Sequence, residues 1–265
     1  MDILSFDVCG KLAHFRKYYA NNTAFTYSMP PRTTVMGMLA AIMGYERDQY
    51  YERFASQHLR IGVRVLRPVK KTFHRLNFLS IKSLGDAIEG SGDFTGAGGH
   101  IQTPFEMVSG LHPGLDWVGY RIFIAPGEQD NGAFDLLHAA LEKREQHYNL
   151  TMGVANFNAW IEKLTLNSGI QSLISDGLVD LHSAVPSDKV GRLDFSKGDY
   201  LSASYNYLEE DMMPADFIGN DNRILSKLVR VIYSTEGKPF SAEVTGPYFP
   251  VPDKDGVIQN ILFIE

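Results

Sequence analysis

Residues 6–44, FDVCGKLAHFRKYYANNTAFTYSMPPRTTVMGMLAAIMG, decide the fold. They start inside a stretch, residues 2–9, in which apolar and polar residues alternate, the pattern of a strand with one buried face. Residues 11–31 have no helical period, are rich in aromatic residues and asparagine, and end on two prolines that favour extended backbone. The pattern predicts a strand followed by a loop that is longer than a simple connection needs.

A helix is predicted after this loop. Apolar residues recur at helical spacing over residues 35–42, and Gly44 suits the end of a helix. Thr33 and Thr34 stand where a side-chain cap is expected. The loop therefore delivers its side chains beside the N-terminus of the helix.

Farther along the chain, residues 46–57 predict a second helix and residues 59–69 a strand, which complete a βαβ-like unit. A mixed basic and aromatic run, residues 70–82, then leads into a glycine-rich segment, residues 85–99. Glycine at that density argues against a packed element, so a projection is predicted here.

The rest of the chain has the pattern of a β-rich protein. One helix is predicted at residues 133–146, and a domain boundary can be placed between residues 127 and 154. Strands are predicted at residues 120–125, 160–166, 227–234, 241–245 and 257–264. Few helices among many strands predict an α+β architecture with an antiparallel or mixed sheet.

Charge is divided unevenly along the chain. Residues 1–82 carry 13 Lys and Arg against 5 Asp and Glu, a net charge of +8, whereas the remaining residues carry 12 against 26, a net charge of -14. Affinity for a phosphate backbone comes from Lys and Arg that displace counterions. A basic first third on an acidic body is typical of an RNA-binding face with a separate protein-facing surface. A charge asymmetry without a partner is the alternative.

The motifs of several enzyme classes are missing from the sequence. It has no Gly-x-x-x-x-Gly-Lys phosphate loop, no Gly-x-Ser-x-Gly elbow and no histidine pair at metal-binding helical spacing. We therefore expect no cofactor, no metal site and no hydrolase of familiar design. The single cysteine, the lack of a signal-like start and the lack of a long apolar run predict a cytoplasmic protein.

The loop carries the first candidate RNA-binding residues. In residues 15–22, cations alternate with aromatic residues and amides. Cations neutralise phosphates, aromatic rings stack on unpaired bases at ~1–3 kcal/mol per base, and amides read base edges. The candidates are Arg16, Lys17, Tyr18, Asn21 and Asn22. The alternative is that Tyr18 and Tyr19 pack beneath a surface loop.

The start of the helix and the basic run supply the other candidates. A helix N-terminus exposes unpaired N–H groups and a partial positive charge, which suits a phosphate, although plain capping is the commoner role of residues there. Lysines on a strand can hold phosphates in the same way. These candidates are Arg32, Thr33, Thr34, Lys70, Lys71, His74 and Arg75.

Residues 6–44 also resemble the opening of a known family. The shared runs are FDVCG at 6–10, AHFRK at 13–17, YSMPPRTT at 27–34 and GMLAAIMG at 37–44. They resemble the fifth Cas subunit family of the RAMP superfamily, which belongs to type I CRISPR effector complexes, and they are most like type I-B. Weaker similarities lie at residues 103–107, 120–124, 148–153 and 246–250.

The resemblance implies a ferredoxin-like (RRM-like, RAMP) domain with a projecting β-hairpin thumb and a β-rich C-terminal part. The expected division is residues 1–150 for the RAMP domain, with the thumb near residues 73–104, and residues 151–265 for a β-rich continuation or second small subdomain. The implied function is a non-catalytic, RNA-binding subunit of a CRISPR Cascade complex in antiviral defence. Its implied partners are the 5′ handle of the crRNA, the Cascade backbone subunits, the large subunit and target DNA near the PAM, with no membrane.

The type I-C branch of the same family implies an alternative, a metal-independent endoribonuclease that processes pre-crRNA by attack of a 2′-hydroxyl on the adjacent phosphate. Lys70, Lys71 and His74 are the candidates for charge stabilisation and a general acid, with Tyr45 or Tyr18 as partner. Their spacing does not match the adjacent Lys-His pair of that branch, so we expect no catalytic residue. A third hypothesis is a metabolic or scaffolding protein whose Arg and Tyr clusters are structural.

Overall fold

The computed structural model describes residues 1–20, 23–79, 100–195, 206–219 and 223–265. Within these ranges there are two α-helices, α1 (Arg32–Met43) and α2 (Ala133–Glu142), and seventeen strands. The first nine strands are β1 (Ile3–Gly10), β2 (Leu12–Ala13), β3 (Phe15–Arg16), β4 (Thr26–Tyr27), β5 (Leu59–Val65), β6 (Val69–Leu79), β7 (His100–Gly110), β8 (Val118–Pro126) and β9 (Ala159–Asn167). The other eight are β10 (Leu178–Leu181), β11 (Val185–Pro186), β12 (Val190–Asp194), β13 (Leu208–Ile218), β14 (Ile224–Ser234), β15 (Phe240–Val244), β16 (Phe249–Pro252) and β17 (Ile258–Ile261).

Four antiparallel strands form the central sheet in the order β5-β8-β1-β9. All eight residues of β1 are buried, including the single cysteine, Cys9, so the prediction of one buried face is wrong. The reason is that both faces of the sheet are covered. Phe6 belongs to the core cluster that contains Leu39 of α1, whereas Ile3 belongs to a second cluster with Phe249 of β16.

Helix α1 lies where the sequence predicts it but begins without a side-chain cap. Pro31 occupies the N-cap position, and Thr33 and Thr34 lie inside the first turn, so the prediction that they cap the helix is wrong. Proline suits a helix start because its missing N–H needs no partner there and its φ is fixed. Gly44 ends the helix as predicted, with a left-handed backbone (φ 77°) and its N–H donated to Ala40 O.

The predicted helix at residues 46–57 is not formed, because this segment consists of turns. Asp48 has a positive φ of 68°, which interrupts a helical path. Tyr50, Tyr51 and Phe54 are buried in the main core, so packing of these rings outweighs the helical pattern of the segment.

Strands β6 and β7 form a long antiparallel hairpin. Their register runs from Val69↔Gly110 to Leu79↔His100, and β2 pairs with the base of β7. Much of the predicted projection, residues 80–99, lies outside the described residues. The hairpin strands are described as far as that gap, and they follow β5, an edge strand of the central sheet.

The C-terminal part is built from strands, as predicted. Five of them form a sheet in the order β12-β15-β10-β17-β16, and β11, β14 and β13 form another. Strand β13 was missed by the sequence patterns, although its pairing with β14 runs from Leu208↔Ser234 to Ile218↔Ile224. Its acidic residues and a central proline hide the alternation that marks other strands.

The coarse prediction of an α+β, β-rich fold is therefore confirmed. Val231 and Tyr233 of β14 and the late residue Ile264 join the core cluster around α1, and β9 pairs with the centre of the first sheet. The division of the chain at residue 150 stays a prediction. Among the described helices, none has the length and apolar character that crossing a membrane requires.

Candidate nucleic-acid interface

Four exposed aromatic rings line one side of the loop and the hairpin, and we call this group the aromatic ridge. Tyr18, Tyr19, Phe25 and Phe73 are between 41% and 55% exposed. Tyr18 and Tyr19 meet edge to face at 5.2 Å between ring centroids, and Phe25 meets Phe73 of β6 in the same way at 5.8 Å. The ridge thus exposes several aromatic faces to solvent. Contact of this apolar surface with water costs free energy that buried rings would avoid.

The loop that carries the ridge is fixed to the hairpin by backbone hydrogen bonds. The Ala24 N–H donates to Pro104 O at 3.1 Å, and the Glu106 N–H donates to Ala24 O at 2.9 Å. The Thr26 N–H donates to the Glu106 carboxylate at 2.8 Å, and the Lys17 N–H donates to Phe25 O at 2.9 Å. These bonds hold both pairs of rings in place on one support.

A buried histidine strengthens the base of the same hairpin. The ring of His14 stacks on Phe105 of β7 at 4.0 Å, and its Nδ1 lies 2.7 Å from Glu106 O. Burial lowers the pKa of His14 below its usual value. The ring is therefore neutral at physiological pH and serves packing.

Two of the predicted cations are exposed beside the ridge. Arg16 lies on β3, and its guanidinium donates to Ala20 O at 3.0 Å. Arg75 is exposed on β6, two residues after Phe73 and hence on the same face of the strand. Both side chains are long enough to reach a phosphate of a strand stacked on the ridge.

Lys17 and Lys71 lie close to the ridge, but acidic residues of β13 hold their ammonium groups. Lys17 Nζ lies 2.7 Å from Asp211, and Lys71 Nζ lies 3.0 Å from Glu209. Burial alone would lower the pKa of Lys17, but Asp211 outweighs burial and the pKa is raised. The two lysines are thus partly neutralised, which the sequence did not predict because the acids are far away along the chain.

Glu209 is the centre of this acidic contact. Its carboxylate also accepts hydrogen bonds from Ser28 at 2.7 Å and from Tyr233 at 2.8 Å. Burial would raise the pKa of Glu209, but these donors and Lys71 lower it below the usual value. The carboxylate is therefore charged wherever the protein is folded near neutral pH.

Arg32 is a core residue, which corrects its expected contact with phosphate. Its side chain has no exposed surface, and its guanidinium pairs with Asp216 and donates to the backbone oxygens of Ala215, Phe54 and Leu59. A guanidinium with this many partners inside the protein cannot reach RNA without unfolding its surroundings. The helix start therefore presents no free arginine at this position.

The remaining predicted residues are spread over several places. Thr33 is buried, with its hydroxyl 3.5 Å from Pro214 O, whereas Thr34 is half-buried and lines a cavity beside α1. Lys70 and His74 lie on the face of β6 opposite Phe73, and His74 is exposed. Asn21 and Asn22 lie outside the described residues.

Three members of the ridge, Tyr19, Phe25 and Phe73, were not among the predicted site residues. Phe73 stands within the basic run of residues 70–75, and Phe25 stands within the aromatic loop, so the mixture of rings and cations was the available signal. The sequence alone does not show that Phe25 and Phe73, which are 48 residues apart, are in contact.

Known proteins resemble this chain both in sequence and in fold. The sequence model of the family described as CRISPR-associated protein (Cas_Cas5) matches residues 3–94. These residues, about a third of the chain, are similar to the Cas5 family. This result confirms the resemblance found in residues 6–44, and the match also takes in the loop, β6 and the ridge.

Solved structures with a similar fold extend the comparison beyond the matched residues. A CRISPR protein from Archaeoglobus fulgidus shares 13% identity, with 100% of each chain covered and a TM-score of 0.54. A chain of a CRISPR RNA-guided surveillance complex shares 14% identity, with 92% of this chain and 94% of that chain covered and a TM-score of 0.54. At these identities the similarity is one of fold. No curated protein matches the sequence.

Proposed function

We propose that this chain is a member of the Cas5 family and a non-catalytic, RNA-binding subunit of a type I CRISPR Cascade complex, of subtype I-B, acting in the cytoplasm. In this role it binds the 5′ handle of the crRNA and caps the backbone subunits next to the large subunit, near the PAM of the target DNA. The observation that carries the proposal is the aromatic ridge with Arg16 and Arg75 beside it.

The ridge has the chemistry that single-stranded RNA requires. Aromatic faces stack on unpaired bases regardless of sequence, and flanking cations follow the phosphates. In the free protein the exposed rings have no packing partner on their outer side, so a stacked base removes apolar surface from water at each of them. This combination favours RNA over a purely electrostatic partner such as duplex DNA.

The strand order supports the ferredoxin-like part of the proposal. Along the chain the elements of the central sheet follow as β1, α1, β5, β8, α2 and β9, and their order in the sheet is β9-β1-β8-β5. This β-α-β-β-α-β arrangement is the one proposed for the RAMP domain. The hairpin β6–β7, inserted between β5 and β8, is the proposed thumb.

The same residues argue for binding without cleavage. Lys71 is paired with Glu209, and it lies on the face of β6 opposite Lys70 and His74. Tyr45 packs with Phe54 at 5.8 Å and beneath the Arg53 guanidinium at 5.2 Å. General acid and base catalysis needs its groups to converge on one bond, and Lys71 and Tyr45 have other partners.

The decisive measurement is the affinity of the purified chain for labelled handle RNA, by fluorescence anisotropy. We expect Phe73→Ala to weaken binding roughly 5- to 150-fold, the value of one lost stacking contact, while Phe73→Tyr retains affinity. Leu136→Ala is the matched control, because Leu136 is equally exposed but lies on α2. Unchanged affinity in Phe73→Ala, with an unchanged melting temperature, would remove the ridge from the interface.

Two further experiments test the complex and the lack of catalysis. Coexpression with a CRISPR array and the backbone subunits should yield a complex with a raised 260/280 absorbance ratio and a discrete handle-bearing RNA; a complex free of RNA refutes the proposal. Labelled repeat RNA incubated with the chain in EDTA should stay intact. A specific product that disappears in His74→Ala would show that the alternative, the endoribonuclease, is correct.

A further inference from the structure

A second polar site lies at the other end of β13 from the ridge. It is a cavity of about 540 Å³, which we call the α1 cavity. Its lining includes Thr34 and Ala41 of α1, Asn149, and Phe217 of β13. Arg47 and Arg223 stand at the rim.

The rim carries a net positive charge. Both arginines share one carboxylate, because Arg47 Nε lies 3.4 Å from Asp48 and Arg223 Nε donates to the other oxygen of Asp48. Two guanidinium groups against one carboxylate leave a charge of one unit. The Arg47 side chain is 80% exposed, so most of its N–H donors face solvent and the mouth of the cavity.

The interior combines polar and apolar walls. Asn149 offers an amide, and Thr34 and Thr151 offer hydroxyls, all of them at least partly accessible. Ala41 and Phe217 offer apolar surface beside them. Unpaired ribonucleotides need all three features: a cation for the phosphate, hydrogen-bonding groups for the base edge and the 2′-hydroxyl, and an apolar face for the ring.

The polar wall is held rigidly against α1. The Tyr148 N–H donates to Ala41 O at 2.9 Å, and the Ala159 N–H donates to Leu150 O at 2.9 Å. These bonds fix residues 148–153, which do not belong to the ridge. The cavity is therefore already formed in the free protein, and a ligand loses little by ordering it.

Strand β13 connects the two sites. Its Asp211 contacts Lys17 beside the ridge, its Pro214 O accepts from Thr33 of α1, and its Phe217 lines the cavity. Asp211 and Phe217 are six positions apart along the strand, which is a distance of about 20 Å. A single strand of a few nucleotides can therefore reach both sites.

We propose that the α1 cavity holds one unstacked ribonucleotide of the strand that the ridge binds, with its phosphate on Arg47 and Arg223. The inference rests on the proposed function, because it takes the ligand to be the same RNA. The RNA then has two sites on the chain. The ridge stacks on bases of any kind, whereas the α1 cavity selects one base through hydrogen bonds to its edge.

Binding of labelled handle RNA to the full chain at several salt concentrations tests the inference. We expect Arg47→Ala with Arg223→Ala to weaken binding roughly tenfold and to reduce the salt slope by about one or two. Arg192→Ala is the matched control, because Arg192 is also an exposed arginine paired with one acid, Glu243. We expect no change in affinity for that variant.

A second variant fills the cavity without changing charge. Ala41→Leu keeps a helix-forming residue on α1, and its melting temperature reports on folding. A series of handle RNAs, each with an abasic site at a different position, identifies the nucleotide in the cavity. At one position the abasic site should lower the affinity for the wild type. The same abasic RNA and the intact RNA should bind Ala41→Leu with equal affinity. 4-Thiouridine at that position should crosslink to residues 149–153.

The outcomes separate the two proposals. If the wild type binds RNA, and both variants bind it equally well with no crosslink in residues 149–153, the cavity proposal is wrong and the proposed function stands. If the wild type binds no handle RNA, both proposals fail. If affinity falls in the double arginine variant while Ala41→Leu and the abasic series show no selected position, the arginines bind phosphate only and the nucleotide site is wrong.

Discussion

At the scale of single residues, two ionisable side chains, one buried and one half-buried, affect the stability of the fold without touching a ligand. The charge of Arg32 is balanced by Asp216, and its two terminal nitrogens donate to three backbone oxygens. His182 accepts a hydrogen bond from the Asn260 N–H at 3.2 Å, which requires an unprotonated nitrogen. Arg32 makes the stability of the fold depend on Asp216, and His182 makes it depend on pH.

Loss of the Arg32 partner should destabilise the protein strongly. Asp216→Ala leaves a buried guanidinium without a counter-charge, which costs about 3–5 kcal/mol in the free energy of unfolding. Glu243→Ala, which removes the acid from the exposed Arg192 pair, should cost less than about 1 kcal/mol. Urea unfolding measures both, and equal losses would contradict a core role for Arg32.

His182 should make the fold sensitive to mild acid. Burial and the nearby Arg64 lower the pKa of His182 to about 4, whereas a histidine in the unfolded chain has its ordinary pKa of 6.5. Between these values the unfolded chain binds a proton that the folded chain does not, so stability falls as pH falls from 6.5 towards 4. In His182→Asn the unfolding free energy should change less between pH 7 and pH 5 than in the wild type; an identical change would exclude this histidine as the cause.

At the scale of elements, β13 contributes residues both to the surroundings of the ridge and to the α1 cavity. Its acidic end holds Lys17 and Lys71, and its other end lines the α1 cavity. An RNA phosphate beside the ridge must therefore compete with Asp211 and Glu209 for the lysines. The strand consequently limits how tightly the ridge can bind.

Release of one lysine should strengthen RNA binding. Asp211→Asn frees Lys17 to meet a phosphate, so we expect a few-fold higher affinity and a salt slope steeper by about one. Glu210→Gln removes the same charge from the neighbouring position, where the acid contacts Ser187. Anisotropy titrations compare the two, and an equal gain in both variants would mean that only overall charge matters.

The elements also show where sequence patterns succeed. Strand β1, helix α1 and its end at Gly44 follow from alternation, helical spacing and glycine, which are local signals. The helix predicted over residues 46–57 failed because burial of Tyr50 and Phe54 decides that segment. Strand β13 was missed because Pro214 and its acids are accommodated by pairing with a strand that lies later in the chain.

The candidate site could be predicted only in part for the same reason. Arg16 is exposed beside the ridge and Tyr18 is exposed within it, as local composition suggested. The fate of Arg32 depends on Asp216, 184 residues away, and that of Lys71 depends on Glu209, 138 residues away. A single sequence shows such side chains but not their partners.

At the scale of the whole molecule, the N-terminal and C-terminal parts share one core. Strand β9 completes the first sheet, and Val231 and Ile264 pack with α1. Covering β1 on both faces requires strands from the end of the chain. Stability is therefore a property of the complete protein.

Truncation at the proposed domain boundary tests this view. A chain of residues 1–150 lacks β9 and the strands behind the sheet, so it exposes the edge of β1 and one face of the core. We expect no cooperative thermal unfolding of this fragment, whereas the full chain unfolds cooperatively. A fragment with a sharp transition would instead establish residues 1–150 as an independent domain.

The burial of Cys9 in β1 has a practical consequence for fluorescence experiments. Burial, with the neighbouring charges of Glu162 and Asp7, raises the pKa of this thiol to about 12, and no other cysteine is present in the sequence. Maleimide dyes need an accessible thiolate, so the wild-type chain is effectively unreactive towards them. Cysteines introduced at Tyr19 and Asn149 can thus be labelled selectively, and energy transfer between each dye and labelled RNA can report the direction in which the strand runs.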